Sequence, residues 1–155
     1  MEALKVAIAD DNENMLKVLG QVIGQEQDLS VVGTATNGED TFHIIKEKKP
    51  DVVLLDIIMP QIDGLTVMEK VHKDKEIRKT PAFIIISAIG RDSVTEDAFN
   101  MGASYYIMKP FDNDMLINRI RYIRNVHAEN TKAGAAPALE YMTLVFLRIL
   151  KGISI

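Results

Sequence analysis

The sequence predicts an α/β fold built on one parallel five-stranded sheet with helices on both faces, and three observations predict it. The runs Val6-Ala7-Ile8-Ala9, Val52-Val53-Leu54-Leu55, Phe83-Ile84-Ile85-Ile86 and Tyr105-Tyr106-Ile107-Met108 are continuously apolar, as in strands covered on both faces. Amphipathic segments of helical period separate them, which implies right-handed crossovers and therefore parallel strands. Each run also stops at residues that apolar packing does not explain: Asp10-Asp11, Asp56, Ser87 and Lys109-Pro110.

Strands are expected at about 4–9, 30–35, 51–56, 82–87 and 104–108, with helices near 13–24, 38–48, 64–73, 93–101 and 113–127. The first helix carries Met15, Leu19, Val22 and Ile23 at helical spacing, with Lys17, Gln21 and Gln25 on its other faces. Asn37-Gly38 precedes the second and Pro50 closes its exit loop. Asp63-Gly64 opens the third, and Gly102 follows the fourth as a stop signal. The fifth aligns Leu116, Ile120, Ile123 and His127 opposite Arg121 and Asn125. Five such units fit the flavodoxin-like strand order 2-1-3-4-5, whose switch point lies between strands 1 and 3. Asp10, Asp11 and Asp56 fall at the ends of those two strands, where ligands bind in open α/β sheets.

The bulk numbers agree. A chain of 155 residues with 47% hydrophobic content supports one core without staples. The absence of cysteine excludes disulfides and thiol chemistry and fits a reducing cytoplasm. The start, Met1-Glu2-Ala3-Leu4-Lys5, leaves no room for a signal peptide, and no uncharged apolar stretch is long enough to cross a bilayer. A net charge of −4 disfavours direct nucleic-acid binding, which leaves a basic footprint. Residues 1–127 form the expected domain. Residues 128–155 are expected to be a linker, Ala133-Gly134-Ala135-Ala136-Pro137-Ala138, and an apolar tail from Leu139 to Ile155.

Asp10-Asp11 can cap a turn or bind a hard cation. With Asp56 at the same rim the balance changes, because like charges ~4 Å apart repel by about 4 kcal/mol at an effective dielectric near 20. Clustered carboxylates therefore need a cation or raised pKa values. Mg²⁺ binds through one or two carboxylates plus phosphate oxygens. Asp56 is the candidate nucleophile, since a carboxylate attacking phosphorus gives an acyl phosphate. Lys109 offers a point charge to a phosphoryl oxygen. Ser87 is either a capping hydroxyl or a donor to that oxygen, and the small Ala88 leaves the nucleophile accessible.

Asp10-Asp11, Leu55-Asp56-Ile57-Ile58-Met59-Pro60 with Asp63-Gly64, Ser87-Ala88 and Lys109-Pro110-Phe111 together resemble the response-regulator receiver domain over about residues 3–127. The resemblance implies phosphorylation of Asp56 from a phosphohistidine phosphotransferase or sensor kinase. It also implies Mg²⁺ (with Mn²⁺ or Ca²⁺ able to substitute) held by Asp10, Asp11, Asp56 and the Ile58 carbonyl, and a cis peptide at Lys109-Pro110. Ser87 and Tyr106 would be the switch pair, moving the face made by helix 4, strand 5 and helix 5. Leu55–Pro60 and Met101–Asp112 are similar to the sporulation-initiating branch of the family, transcription factors at the end of a phosphorelay. DNA contact would then need an output domain that these residues do not supply.

Arg119, Arg121 and Arg124, with Glu96 and Asp97, could pair across a homodimer on that face, and exchange of the last helix through the 107–113 loop is a second route. A phosphatase is the expected resetting partner, because Ile58 and Ile89 flank the acceptor and neither can orient a hydrolytic water. The alternatives are a stand-alone receiver acting through protein contacts, a dimerisation scaffold, and a haloacid-dehalogenase-type phosphohydrolase. The last requires an acid where Ile58 stands. His43, His72 and His127 lie on separate predicted helices without ligand spacing, and Lys46-Glu47-Lys48-Lys49 reads as a solvated helix end.

Overall fold

The computed structural model describes the backbone of residues 2–133 and the side chains of 2–126. Five strands alternate with five helices: β1 (Leu4–Ala9), α1 (Glu13–Gly24), β2 (Leu29–Ala35), α2 (Gly38–Lys48), β3 (Val52–Leu55), α3 (Gly64–Lys73), β4 (Ala82–Ser87), α4 (Asp92–Asn100), β5 (Ala103–Met108) and α5 (Asn113–Ala133). All strand pairs are parallel, in the order β2-β1-β3-β4-β5. The fold is the flavodoxin-like one expected. Residues Met1–Ile120 make one compact unit; of the second, Arg121–Ile155, the described part is helical.

Position in the sheet sets how each strand is buried. All four residues of central β3 are buried, as are the last four of β1 and the last five of β4. β5 departs from the expected continuous burial. Ala103, Tyr105 and Ile107 are buried, whereas Ser104 and Tyr106 are half-buried and Met108 is exposed. The reason is topological: β5 is an edge strand, so it has one covered neighbour rather than two.

One core layer gathers Ala7, Ala9, Val53, Leu55, Phe83 and Ile85 from the sheet against Ile45 of α2, Val67, Met68 and Val71 of α3, and Ala98 of α4. Alternate residues (Val6, Ile8, Val52, Leu54, Ile84 and Ile86) are equally buried and face the other way. Leu19 and Ile23 of α1 and Leu116, Ile117 and Ile120 of α5 are buried as well. Burying one such Leu or Ile contributes about 1.5–3 kcal/mol.

Boundaries moved by a residue or two. Strand β3 stops at Leu55, so Asp56 lies just beyond the strand rather than within it. The largest change is at α5, which runs to Ala133 instead of 127. Residues 128–132 contain neither Gly nor Pro, so nothing local ends the helix before Gly134. The side chain of His127 and the Leu139–Ile155 segment lie outside the described residues.

Candidate functional site

The site grows from one strand pairing. In β1 and β3, Ala9 lies opposite Leu55, and the Asp56 N–H donates to the Ala9 carbonyl at 2.9 Å. The next residue of each strand is thus an aspartate, and the two are forced side by side. Adding Asp11, ligand oxygens of the three carboxylates lie within 4.8 Å of one another. Asp10 and Asp56 are buried, at 2% and 7% exposure, while Asp11 faces solvent.

One local device repeats around the rim. The Asn12 N–H donates to Asp10 Oδ1 at 2.9 Å, the Ile58 N–H to Asp56 Oδ1 at 3.3 Å, and the Ile89 N–H to Ser87 Oγ at 3.2 Å. In each case an Asp or Ser just after or at the end of a strand turns the chain by accepting from the backbone two residues on. In Asp10 and Asp56 this leaves the second carboxylate oxygen, Oδ2, to face the rim. Sequence reasoning missed this role for Asn12, which also caps α1 through Asn14 and Met15. The signal was present, as an Asx residue directly before an amphipathic helix.

Lys109 directly follows β5, two strands away from β3. Its N–H donates to the Ser87 carbonyl at 2.9 Å. Its Nζ reaches Asp10 Oδ2 at 2.6 Å and Asp56 Oδ2 at 3.0 Å. The following bond, Lys109-Pro110, is cis. Burial pushes the Asp56 carboxyl above its ordinary value; the Lys109 ammonium pulls it back and Asp10 adds to the rise. Burial would lower Lys109, but hydrogen bonds to Asp10 and Asp56 outweigh it and raise its pKa. The ammonium therefore stays charged and pairs with Asp10 and Asp56, while Asp11 stands beside them without it.

Two glycines hold the acceptor loop in place. The Gly64 N–H donates to the Ile57 carbonyl at 2.7 Å, and a Cβ at position 64 would lie 2.4 Å from the Asp56 carbonyl oxygen. A Cβ at Gly38 would lie 2.1 Å from the Ile62 carbonyl oxygen. Between these contacts the loop turns through Gln61 at φ +72°, a left-handed conformation unusual for glutamine. Asp63 caps α3 by accepting from the Thr66 N–H at 2.7 Å.

Of the remaining predicted residues, Ala88 is exposed beside the buried Ser87. Ile58 projects its side chain outward at 58% exposure. The Tyr106 hydroxyl donates to the Ile89 carbonyl, a tether that the sequence did not reveal. Arg119 lies 5.2 Å over the Tyr105 ring, so it is already engaged within the chain. His72 Nε2 meets the Met101 carbonyl at 2.7 Å, and the described histidines take no part in the cluster.

The comparisons point the same way. The response regulator receiver domain family matches residues 6–121. The response regulator domain of Thermotoga maritima CheB is similar at 27% identity and a TM-score of 0.72, covering 80% of this chain and 98% of that one. CheY of Borrelia burgdorferi, in a complex with CheX, BeF3 and Mg²⁺, is similar at 30% identity and a TM-score of 0.71, covering 79% and 90%. The BeF3-activated receiver domain of DrrB is similar at 28% identity and 0.69, covering 79% and 98%. Receiver domains work with kinases and phosphotransferases and generally bind Mg²⁺ at an acidic pocket. The family model covers most of the chain, and the chain belongs to the response regulator receiver domain family, the signalling module of two-component systems.

Proposed function

We propose that Asp56 accepts a phosphoryl group from a phosphohistidine of a sensor kinase or phosphotransferase, in the cytoplasm. The observation that carries this reading is the surplus of buried negative charge at a solvent-open rim, with Lys109 bridging Asp10 and Asp56. A carboxylate oxygen of Asp56 attacks phosphorus as the bond to the donor imidazole nitrogen breaks, the imidazole keeping the electron pair. Lys109 then has a phosphoryl oxygen to pair with, in place of one carboxylate.

The donor set fits a hard divalent cation, since it consists of oxygens and carries more negative charge than Lys109 neutralises. Asp10, Asp11, Asp56 and the Ile58 carbonyl would hold Mg²⁺, whose charge would offset that of the phosphoryl oxygens. The Mg²⁺ in the Borrelia complex supports this reading.

The added charge of about −1.5 to −2 acts on Ser87, and through it on Tyr106 and the α4–β5 face, as a shift between two conformations. The finer reading is a transcription factor that initiates sporulation. It rests on the likeness of Leu55–Pro60 and Met101–Asp112 to that branch. Incubation with a small phosphodonor and Mg²⁺, followed by peptide mapping, is expected to place an acyl phosphate on Asp56. Label elsewhere, or steady turnover without label, overturns the proposal.

The phosphorylated state is expected to be long-lived and to need a phosphatase. Ile58 and Ile89 have no side-chain group able to align a water. Replacing either with Asn or Glu is expected to shorten the lifetime. A half-life of seconds, unchanged in those variants, would contradict it.

A further inference from the structure

A groove of about 700 Å³ opens at the amino end of the sheet, between the end of α2, the starts of β1 and β3, and the loop before β4. Its size falls in the usual range of ligand sites. It has no part in the chemistry above: β3 separates Asp51 in its wall from Asp56, a span of about 17 Å at ~3.3 Å per residue. Five cations line it against two carboxylates, on a chain whose net charge is −4.

These cations divide into two groups. Lys46 is held by Asp74 at 3.0 Å and Glu76 at 2.9 Å, and Lys79 by Asp51 at 3.5 Å. Lys5, Lys49 and Arg78 make no ion pair among the described residues. Between them the lining is apolar, with Ile45, Pro50, Ile77 and Pro81. A ligand filling this groove therefore has both negative charge and apolar side chains.

The backbone narrows the class further. Helix α2 ends here, and the last carbonyls of a helix carry partial negative charge and lack intrahelical donors. Such carbonyls match the N–H groups of an extended peptide, and the apolar lining gives a compact phosphate nothing to bury. We propose that this groove docks an acidic, leucine-bearing segment of a partner protein, leaving the acceptor rim free for phosphotransfer. A partner could thus remain bound through a phosphorylation cycle.

The test uses the full chain and a fluorescein-labelled 12-residue peptide alternating Glu and Leu, read by anisotropy at low salt. Saturable binding is expected, weakened roughly tenfold or more in a Lys49→Glu, Arg78→Glu double variant whose circular dichroism is unchanged. It is expected to be lost when Gln replaces Glu in the peptide, and unaffected by Asp56→Asn. That last arm separates this proposal from the phosphoacceptor reading. Absence of binding, an unchanged affinity in the double variant, or equal competition by inorganic phosphate would overturn it.

Discussion

At the carboxyl end of the sheet three aspartates cluster, and Lys109 pairs with the two that are buried, Asp10 and Asp56. At the amino end, Asp51 accepts from the Lys5 N–H at 2.8 Å and from Lys79, while Asp74 and Glu76 share Lys46. Those amino-end pairs reach solvent through Lys79 at 75% and Glu76 at 82% side-chain exposure, while Asp51, Asp74 and Lys46 are half-buried. The same residue types thus do different things at the two ends of one strand, β3. Where charge is paired in water it contributes little. Where it is buried in surplus, it raises a carboxyl pKa and creates a demand for a cation. The difference sets the carboxyl rim apart as the end with unmet buried negative charge.

The largest expected effect tests that asymmetry on the two aspartates flanking β3. Asp56→Asn is expected to abolish labelling by a small phosphodonor with Mg²⁺, whereas Asp51→Asn leaves it intact. Comparable loss in both variants would break the comparison.

Packing gives the next effect. Gly64→Ala puts a methyl 2.4 Å from the Asp56 carbonyl oxygen and 3.0 Å from the Ile57 Cα, both backbone atoms that cannot swing aside. A cost of about 1–3 kcal/mol is expected in denaturant unfolding, in line with overpacked sites, together with slower labelling. Gly24→Ala, where a Cβ meets nothing within 4 Å, is the matched control.

A smaller effect of opposite sign concerns pH. The folded pKa of Asp56 lies above its ordinary value of 3.8, chiefly through burial. Ionisation therefore opposes folding, and stability falls as pH rises from the ordinary range through the raised one. Without divalent cation, Asp56→Asn is expected to melt above the parent at pH 7, and the gap should close as pH drops toward 3.8. A parent that is the more stable at pH 7 would show that Lys109 more than offsets the burial.

The amino end should respond least. Asp74 is held below its ordinary value of 3.8, first by its hydrogen bond from Lys46. What it contributes is present above that value and fades as pH falls through the lower, folded one. Both partners are half-buried at the surface, at 33% and 17% side-chain exposure, so Lys46→Ala is expected to lower the melting temperature only slightly, by an amount that shrinks at 1 M salt.

Much of this was legible in the chain. Residues Val52–Leu55 could only be a strand covered on both sides, and the acids following β1 and β3 fell at the switch point that the strand order dictates. Patterns of apolar period and turn chemistry are local, so they can be read without coordinates. The expectation for β5 went astray because its apolar run suggested burial on both faces, although the order 2-1-3-4-5 already put that strand at an edge. The end of α5 went astray because residues 128–132 hold no Gly or Pro to interrupt a helix.

The amino acids by themselves determined the elements, their order, and which four residues would meet at one rim. Only the tertiary structure decided that Lys109 bridges Asp10 and Asp56, that Tyr106 is tied to the Ile89 carbonyl, and that Gly64 is pressed against the acceptor's own backbone. The physical reason is range. Periodicity and capping act over a few residues, whereas a contact spanning 99 positions, as between Asp10 and Lys109, exists only once five strands have closed side by side.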